Sequence, residues 1–488
     1  MKRPRPRPAA RARPAGPSTS APGRGRRPVA PRREPPQPIA SAATNVASAD
    51  ALARLAVEIA AEVEHAVDAE QRRADRTLSN ILRGRRDLAA PDARFLSGAS
   101  FALLRWRGWI VALRPQSLEE ALLVAWLLDA PTVHPACRIW ARVAGIDPER
   151  LMALGDAPGW PERAIGLRRL MPDRGVVTDP WRLFPDWLKP MVPAPPGDAP
   201  PKIRLANLLL DLQKRPALWV RAQGTEPDAL WDELRAVGLK PWTHRRIAQA
   251  ARLDREADLY RIDAFKQGRL EIQDLASQAV GIVCDPDPGE RWWDACAGAG
   301  GKALDLAGRM GGKGLVVASD NNERRLAEVV RRARRSPYRN ITTKAWEGRK
   351  LPAKPASFHG VLVDAPCSGL GSLRRNPDVR WTIDAAAVAR LAEEQIRLLG
   401  AAAAGVRPGG TLVYSACTFT PAETTGVARA FLEAHPEFRP DPFPHPLTGA
   451  ATDGSLMIWP ADGDCDAMFV ARFQRDARPA ATDGPPPA

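Results

Sequence analysis

The sequence predicts an α/β protein whose main domain is a mostly parallel, doubly wound sheet. A smaller α/β module and an α-helical region precede that domain. Three observations predict this. Between Phe265 and Phe473, short apolar runs alternate with helical stretches, the pattern of a parallel sheet with crossover helices. Upstream of Ile146, apolar residues recur at helical spacing instead, as at Leu52, Leu55, Ile59 and Val63. Three of the apolar runs in the main domain end in residues suited to chemistry: Asp294-Ala295-Cys296, Asp364-Ala365-Pro366-Cys367 and Tyr414-Ser415-Ala416-Cys417. In open α/β sheets the C-terminal strand edge is where ligands bind.

Taken in order, residues 1–48 are rich in Pro, Arg and Ala and predict a disordered basic tail. Residues 1–40 hold eleven Lys/Arg against the single Glu34, a net +10 out of +15 for the chain. Such tails either stay solvated or bind phosphates. Residues 49–180 read as the helical domain, with Pro- and Trp-rich loops towards its end. In residues 181–264, Ala217–Val220 reads as a strand and Pro227–Val237 as a helix stopped by Gly238. In residues 265–475 the candidate strands are 291–295, 314–319, 360–364 and 411–415, with a late pair near 455–459 and 467–473. Helices are expected near 302–310, 322–335 and 383–404, and Pro408-Gly409-Gly410 reads as the turn before the fourth strand. Residues 476–488 predict a second disordered tail.

Composition excludes several classes. No apolar run nears the ~20 residues of a membrane span. The N-terminus lacks the apolar core of a secretory signal. Six cysteines in 488 residues, none in a CxxC pair, suggest neither a disulfide framework nor zinc. The expectation is a cytoplasmic monomer without metal, its thiols kept reduced.

Gly298, Gly300 and Gly301 let the backbone turn tightly against a ligand. A phosphate-cradling P-loop does not fit, because Ala303 follows Lys302 and no Gly stands five residues before Gly301. The next strand ends in Asp320, where nucleoside-binding folds place an acid on the ribose. Asp320 equally suits the N-terminus of the helix at 322–335.

These motifs together resemble the RsmB/NSUN family of RNA 5-methylcytosine methyltransferases. DACAGAGGK at 294–302 resembles its cofactor loop and SDNNERRL at 319–326 its ribose motif. DAPCSGLGSLRRNPDVRW at 364–381 resembles the proline-cysteine motif, and YSACTFTPAE at 414–423 the nucleophile motif. FKQGRLEIQDLASQ at 265–278 resembles the lead-in to the catalytic domain. FPDWL at 184–188 resembles the segment before an RRM-like module, and residues 75–109 weakly resemble a NusB-like helical extension of the bacterial ribosomal members. The resemblance implies a Rossmann-like domain that uses S-adenosylmethionine and acts on RNA, most simply 16S ribosomal RNA. It implies cofactor contacts from Cys296, Ala297, Gly298, Ala299, Gly300, Gly301, Lys302, Asp320, Arg325, Glu347 and Asp364. It assigns attack on the base to Cys417, release or proton handling to Cys367, and support of ring nitrogen 3 to a protonated Asp364. Arg374, Arg375 and Lys302 are candidates for RNA contact, and Trp381 for packing. The chain departs from the family pattern where Gly298-Ala299 replaces Ala-Pro and Thr424 replaces Asn. Competing readings are the same chemistry on transfer RNA, a non-catalytic RNA-binding or ribosome-assembly factor, and DNA methylation.

Overall fold

The computed structural model describes residues 48–477, apart from 131, 155–159, 173, 175–177 and 255–256. The basic tail at 1–47 and the chain beyond Ala477 lie outside the described residues.

The helical region begins at α1 (Ala49–Asp68), where the Ser48 hydroxyl accepts from the Ala51 N–H. The helices α2 (Ala74–Gly84), α3 (Ala90–Leu113), α4 (Leu118–Asp129), α5 (Ala136–Val143) and α6 (Trp160–Leu170) follow. They close around fully buried Trp106, Trp109 and Trp140. Short 3-10 turns and α7 (Pro201–Asp211) lead to the small module. There the chain runs through β1 (Leu218–Ala222), α8 (Pro227–Ala236), β2 (Trp242–Thr243), β3 (Ala250–Leu253), α9 (Asp263–Lys266) and β4 (Leu270–Ile272), and the four strands form an antiparallel sheet of order β2-β3-β1-β4.

The main domain runs through α10 (Leu275–Cys284), β5 (Arg291–Asp294), α11 (Gly301–Arg309), β6 (Leu315–Asp320), α12 (Glu323–Arg335), β7 (Ile341–Ala345) and β8 (Phe358–Asp364). It continues with α13 (Val379–Thr382), α14 (Ala385–Ala403), β9 (Val406–Ala416), α15 (Thr425–Ala434), β10 (Phe438–Pro440), β11 (Ser455–Ile458), α16 (Pro460–Gly463) and β12 (Met468–Arg475). Its sheet order is β10-β12-β9-β8-β5-β6-β7, with β11 on β12. Strands β5 to β9 pair in parallel and β12 returns antiparallel to β9. The strand order reverses beside β5, so the ligand crevice of this topology opens at the ends of β5, β6 and β8.

The strands expected from apolar runs appear within a few residues of their expected bounds. One expectation is corrected. Pro408-Gly409-Gly410 is not a turn before the strand but part of β9. Opposite it, the β8 register jumps from Phe358↔Val406 to Gly360↔Thr411, and Gly409 takes φ 71°. The strand absorbs the extra residues as a bulge.

Segment 374–381 ties the two largest parts of the chain together. Arg105 donates to the Arg374 carbonyl at 2.9 Å, Trp381 Nε1 to the Leu104 carbonyl at 2.8 Å, and the Ala74 N–H to Asp378 at 3.1 Å. No helix among the described residues is long and apolar enough to cross a membrane.

Candidate active site

The crevice holds a cavity of about 730 Å³ whose walls include Cys296, Gly298, Lys302 and Asp364. Each of these stands just beyond the C-terminal end of β5, or at that of β8. Unbroken apolar runs bury the strands, and the polar residues collect where the runs stop.

On one side lies the glycine turn between β5 and α11. Gly298 takes φ 54° and Gly300 φ 88°. A Cβ added at Gly298 would meet nothing within 4 Å, so this backbone faces open space. Asp320, at the end of β6, fixes the turn. Its Oδ2 accepts from the Gly298 N–H at 3.0 Å and its Oδ1 from the Asn322 N–H at 2.9 Å. A carboxylate has about four acceptor positions, so both oxygens retain capacity for ribose hydroxyls. Arg325 Nη1 lies 3.6 Å from the same carboxylate. The Trp346 N–H donates to the Asp320 carbonyl at 3.2 Å, which sets exposed Glu347 beside the β6 end. Arg332 donates to the Ala299 carbonyl at 2.9 Å. Beneath the turn, Asp294 is fully buried. Burial, then the nearby Asp364, pushes its pKa up to about 8.

On the other side stand the thiols. Cys367 Sγ lies 3.3 Å from Cys417 Sγ. Cys417 alone of the six cysteines falls below the ordinary thiol range. The hydrogen bond from Cys367 is the main cause, with Arg375 and Lys302 helping against burial and Asp364. Cys367 rises, because it gives that hydrogen bond and is buried. Burial raises Cys137, Cys284, Cys296 and Cys465 as well. The pair therefore holds two thiols of unequal acidity, with Cys417 the one that ionises more readily.

Between the two sides sits Asp364. Its Oδ1 accepts from Ser415 Oγ at 2.7 Å and its Oδ2 from Lys302 Nζ at 2.8 Å. Burial works against the Lys302 ammonium, but Asp364 outweighs it and holds the group above the ordinary lysine value.

The sequence reading missed the support beneath the thiols. Glu423 is fully buried. Its Oε1 accepts from the Ser368 N–H at 2.7 Å and from Gln395 at 3.1 Å. Its Oε2 accepts from the hydroxyls of Ser368 at 2.6 Å, Thr420 at 2.8 Å and Thr418 at 3.1 Å. One carboxylate thus locks the loop after Cys367 to the loop after Cys417. The only sequence signal was an acid six residues beyond Cys417.

The two candidate RNA arginines separate. Arg374 is only 1% exposed, where an RNA-gripping residue was expected at the surface. Its guanidinium binds the carbonyls of Cys465 at 3.1 Å and Arg215 at 3.0 Å, and the carboxylate of Asp464. Arg375 remains half-exposed on the cavity wall and pairs with Asp466 at 2.7 Å. Asp466 in turn faces Asp274, whose pKa burial and Asp466 push to about 7.

The family model described as 16S rRNA methyltransferase RsmB/F matches residues 281–474. A probable ribosomal RNA small subunit methyltransferase B of Bacillus subtilis is 30% identical over 75% of this chain and 83% of its own length. The chain belongs to the RsmB/F family. A relative of the same printed name from Synechocystis is 33% identical over 60% of this chain and 67% of its own. The fold matches the crystal structure of PH0851 with a TM-score of 0.68 at 20% identity, over 88% of this chain and all of that one. As an RsmB/F member the chain uses S-adenosylmethionine, and the open Gly298 turn with the spare acceptors of Asp320 fits that cofactor. Among the described residues no group of three His, Cys, Asp or Glu side chains is placed to hold a metal.

Proposed function

We propose that this protein methylates carbon 5 of a cytidine in 16S ribosomal RNA through a covalent bond from Cys417 to carbon 6. The observation that carries this reading is the thiol pair at 3.3 Å, with Cys417 the member that loses its proton more readily. The family match and its relatives' printed names support ribosomal RNA as the substrate.

Carbon 5 of cytosine is too weak a nucleophile to take a methyl group unaided. Attack by the Cys417 thiolate forms an S–C6 bond and moves the ring electrons towards nitrogen 3. Asp364 stands ready to support that nitrogen. Both its oxygens accept hydrogen bonds in the resting site, one of them from the Lys302 ammonium. Passage of the Lys302 proton through Asp364 to nitrogen 3 leaves a neutral amine and an enamine-like carbon 5. S-adenosylmethionine, when bound, supplies an electrophilic methyl group on its sulfonium. Loss of the carbon 5 proton then lets the ring expel the Cys417 sulfur and regain aromaticity, as the nitrogen 3 proton returns through Asp364 to the Lys302 amine. Cys367, in contact with that sulfur, handles the proton of the release step. The target base has to leave its stack, since carbon 6 attack needs the open ring face.

The test combines bisulfite sequencing with two variants. Wild-type enzyme should protect one cytidine of unmodified 16S RNA. Cys417→Ala should abolish turnover while still binding cofactor. Cys367→Ala should accumulate a covalent enzyme–RNA adduct, visible as a slow band on a denaturing gel. An adduct trapped by Cys417→Ala instead would reverse the two roles. Protection confined to transfer RNA would move the substrate, and no protection together with no cofactor binding would leave a binding factor.

A further inference from the structure

The active-site cavity does not end at the Lys302–Asp364 pair. A second cavity of about 800 Å³ adjoins it, and the two share Gly98, Arg215, Ala217 and Leu218 as walls. Together they make a trough that leaves the Lys302–Asp364 pair, passes between α3 and the start of β1, and reaches the edge of the small sheet. At that far end Trp242 is 44% exposed. It lies on the edge strand β2, directly opposite Arg252 of β3 in the strand register. The Arg252 guanidinium sits 5.2 Å from the Trp242 ring centroid, and both residues line the trough. Arg94, from α3, lines the same cavity, is exposed, and pairs with no carboxylate among the described residues. Two acids, Asp254 and Asp464, also line it. Asp464 is already engaged by Arg252 at 3.1 Å and by Arg374.

An exposed indole, cations beside it and a continuous path to a site that needs an unstacked base form one pattern. It is the pattern of single-stranded nucleic acid binding, in which bases stack on aromatic rings and phosphates lie on basic side chains. A polypeptide occupant would have no use for the junction with the reacting cavity. We propose that the trough carries the RNA strand that flanks the target cytidine. A neighbouring base stacks on Trp242, and backbone phosphates lie against Arg94 and Arg252. This deepens the reading of the site as an RNA methyltransferase and rests on it. Strand position is thereby set by the small module and the helical region, away from the residues that do the chemistry.

The experiment compares Trp242→Ala, Trp242→Phe and Arg94→Gln with the wild type on an unmodified 16S RNA transcript. Trp242→Ala should raise the KM for RNA about tenfold, the effect of one lost stacking contact. Its kcat and its cofactor affinity should stay within twofold of wild type. Trp242→Phe should restore most of the loss, because a ring is what the base needs. Arg94→Gln should weaken RNA binding and lower the slope of log affinity against log salt by about one. An unchanged KM in Trp242→Ala overturns the proposal. So does a KM rise that comes with lower kcat and melting temperature and that Phe does not rescue, since this marks a packing role. If the wild type transfers no methyl group to the transcript, filter binding of the same RNA separates the two ideas. Weaker retention by Trp242→Ala then supports the trough while the proposed chemistry falls, and equal retention overturns the trough.

Discussion

Beneath the thiol loops one buried carboxylate, Glu423, takes five hydrogen bonds, whereas across the crevice Asp320 and Arg332 each form a single one with the backbone of the cofactor turn. The difference follows what each side has to do. In the proposed chemistry two sulfurs meet one ring, and a shift of about 1 Å at a reacting centre costs on the order of 10²-fold in rate. The cofactor turn works through its backbone, so it can change side chains as long as the chain still turns. This chain's departure from the family's cofactor-loop sequence lies in that turn, at Gly298-Ala299. Breaking the rigid side should therefore have the largest effect. Glu423→Ala leaves three hydroxyls and an N–H buried without their acceptor, and frees the two loops from each other. The expected outcome is a kcat lower by about 10²-fold, a lower melting temperature and unchanged cofactor affinity by calorimetry. Glu423→Gln should lose less, because hydroxyls can rotate to meet a side-chain amide. A Glu423→Ala enzyme with normal kcat would show that the thiols hold their own geometry.

Arg375 tests the electrostatic part of the same side. The hydrogen bond from Cys367 does most to lower the Cys417 pKa, and Arg375 adds to it. A lowered pKa keeps the thiolate present down to a lower pH. Arg375→Gln removes a positive charge, so the Cys417 pKa should rise. The acid limb of the kcat/KM profile should then move to higher pH, with activity reduced several-fold near pH 7 and largely recovered near pH 9. An equal loss at every pH would mean that Arg375 serves the Asp274–Asp466 pair or the RNA rather than the thiol.

The same contrast explains what the sequence made legible. Strands β5, β6, β8 and β9 announce themselves because burial on both faces demands unbroken apolar runs. Their chemistry-bearing ends follow directly. β7 escaped notice because it is the sheet's edge strand, and Ile341–Ala345 is largely exposed and polar. Glu423 escaped notice as a hub because its partners Ser368 and Gln395 lie 55 and 28 residues away. Arg374 was misplaced for a similar reason. Nothing local marks an arginine for burial, and its acceptors come from Arg215, Asp464 and Cys465, far along the chain. Contacts along one strand are written in its pattern, whereas a buried ion that joins distant loops is not.

The smallest expected effect sharpens the comparison from the compliant side. Ala299 follows a glycine at φ 54°, and its carbonyl is held by Arg332 at 2.9 Å. Among the described residues its N–H makes none of the backbone hydrogen bonds that hold the turn. Proline there removes no bond and restricts the unbound turn, an effect of about 0.4–1 kcal/mol where the backbone conformation is compatible. Ala299→Pro should therefore tighten S-adenosylmethionine binding about two- to fivefold, with kcat unchanged because the thiol side is untouched. Calorimetry reads this directly. Weaker binding would mean that the turn adopts a shape proline cannot, and that Gly298-Ala299 is a different way to build the loop rather than a looser one.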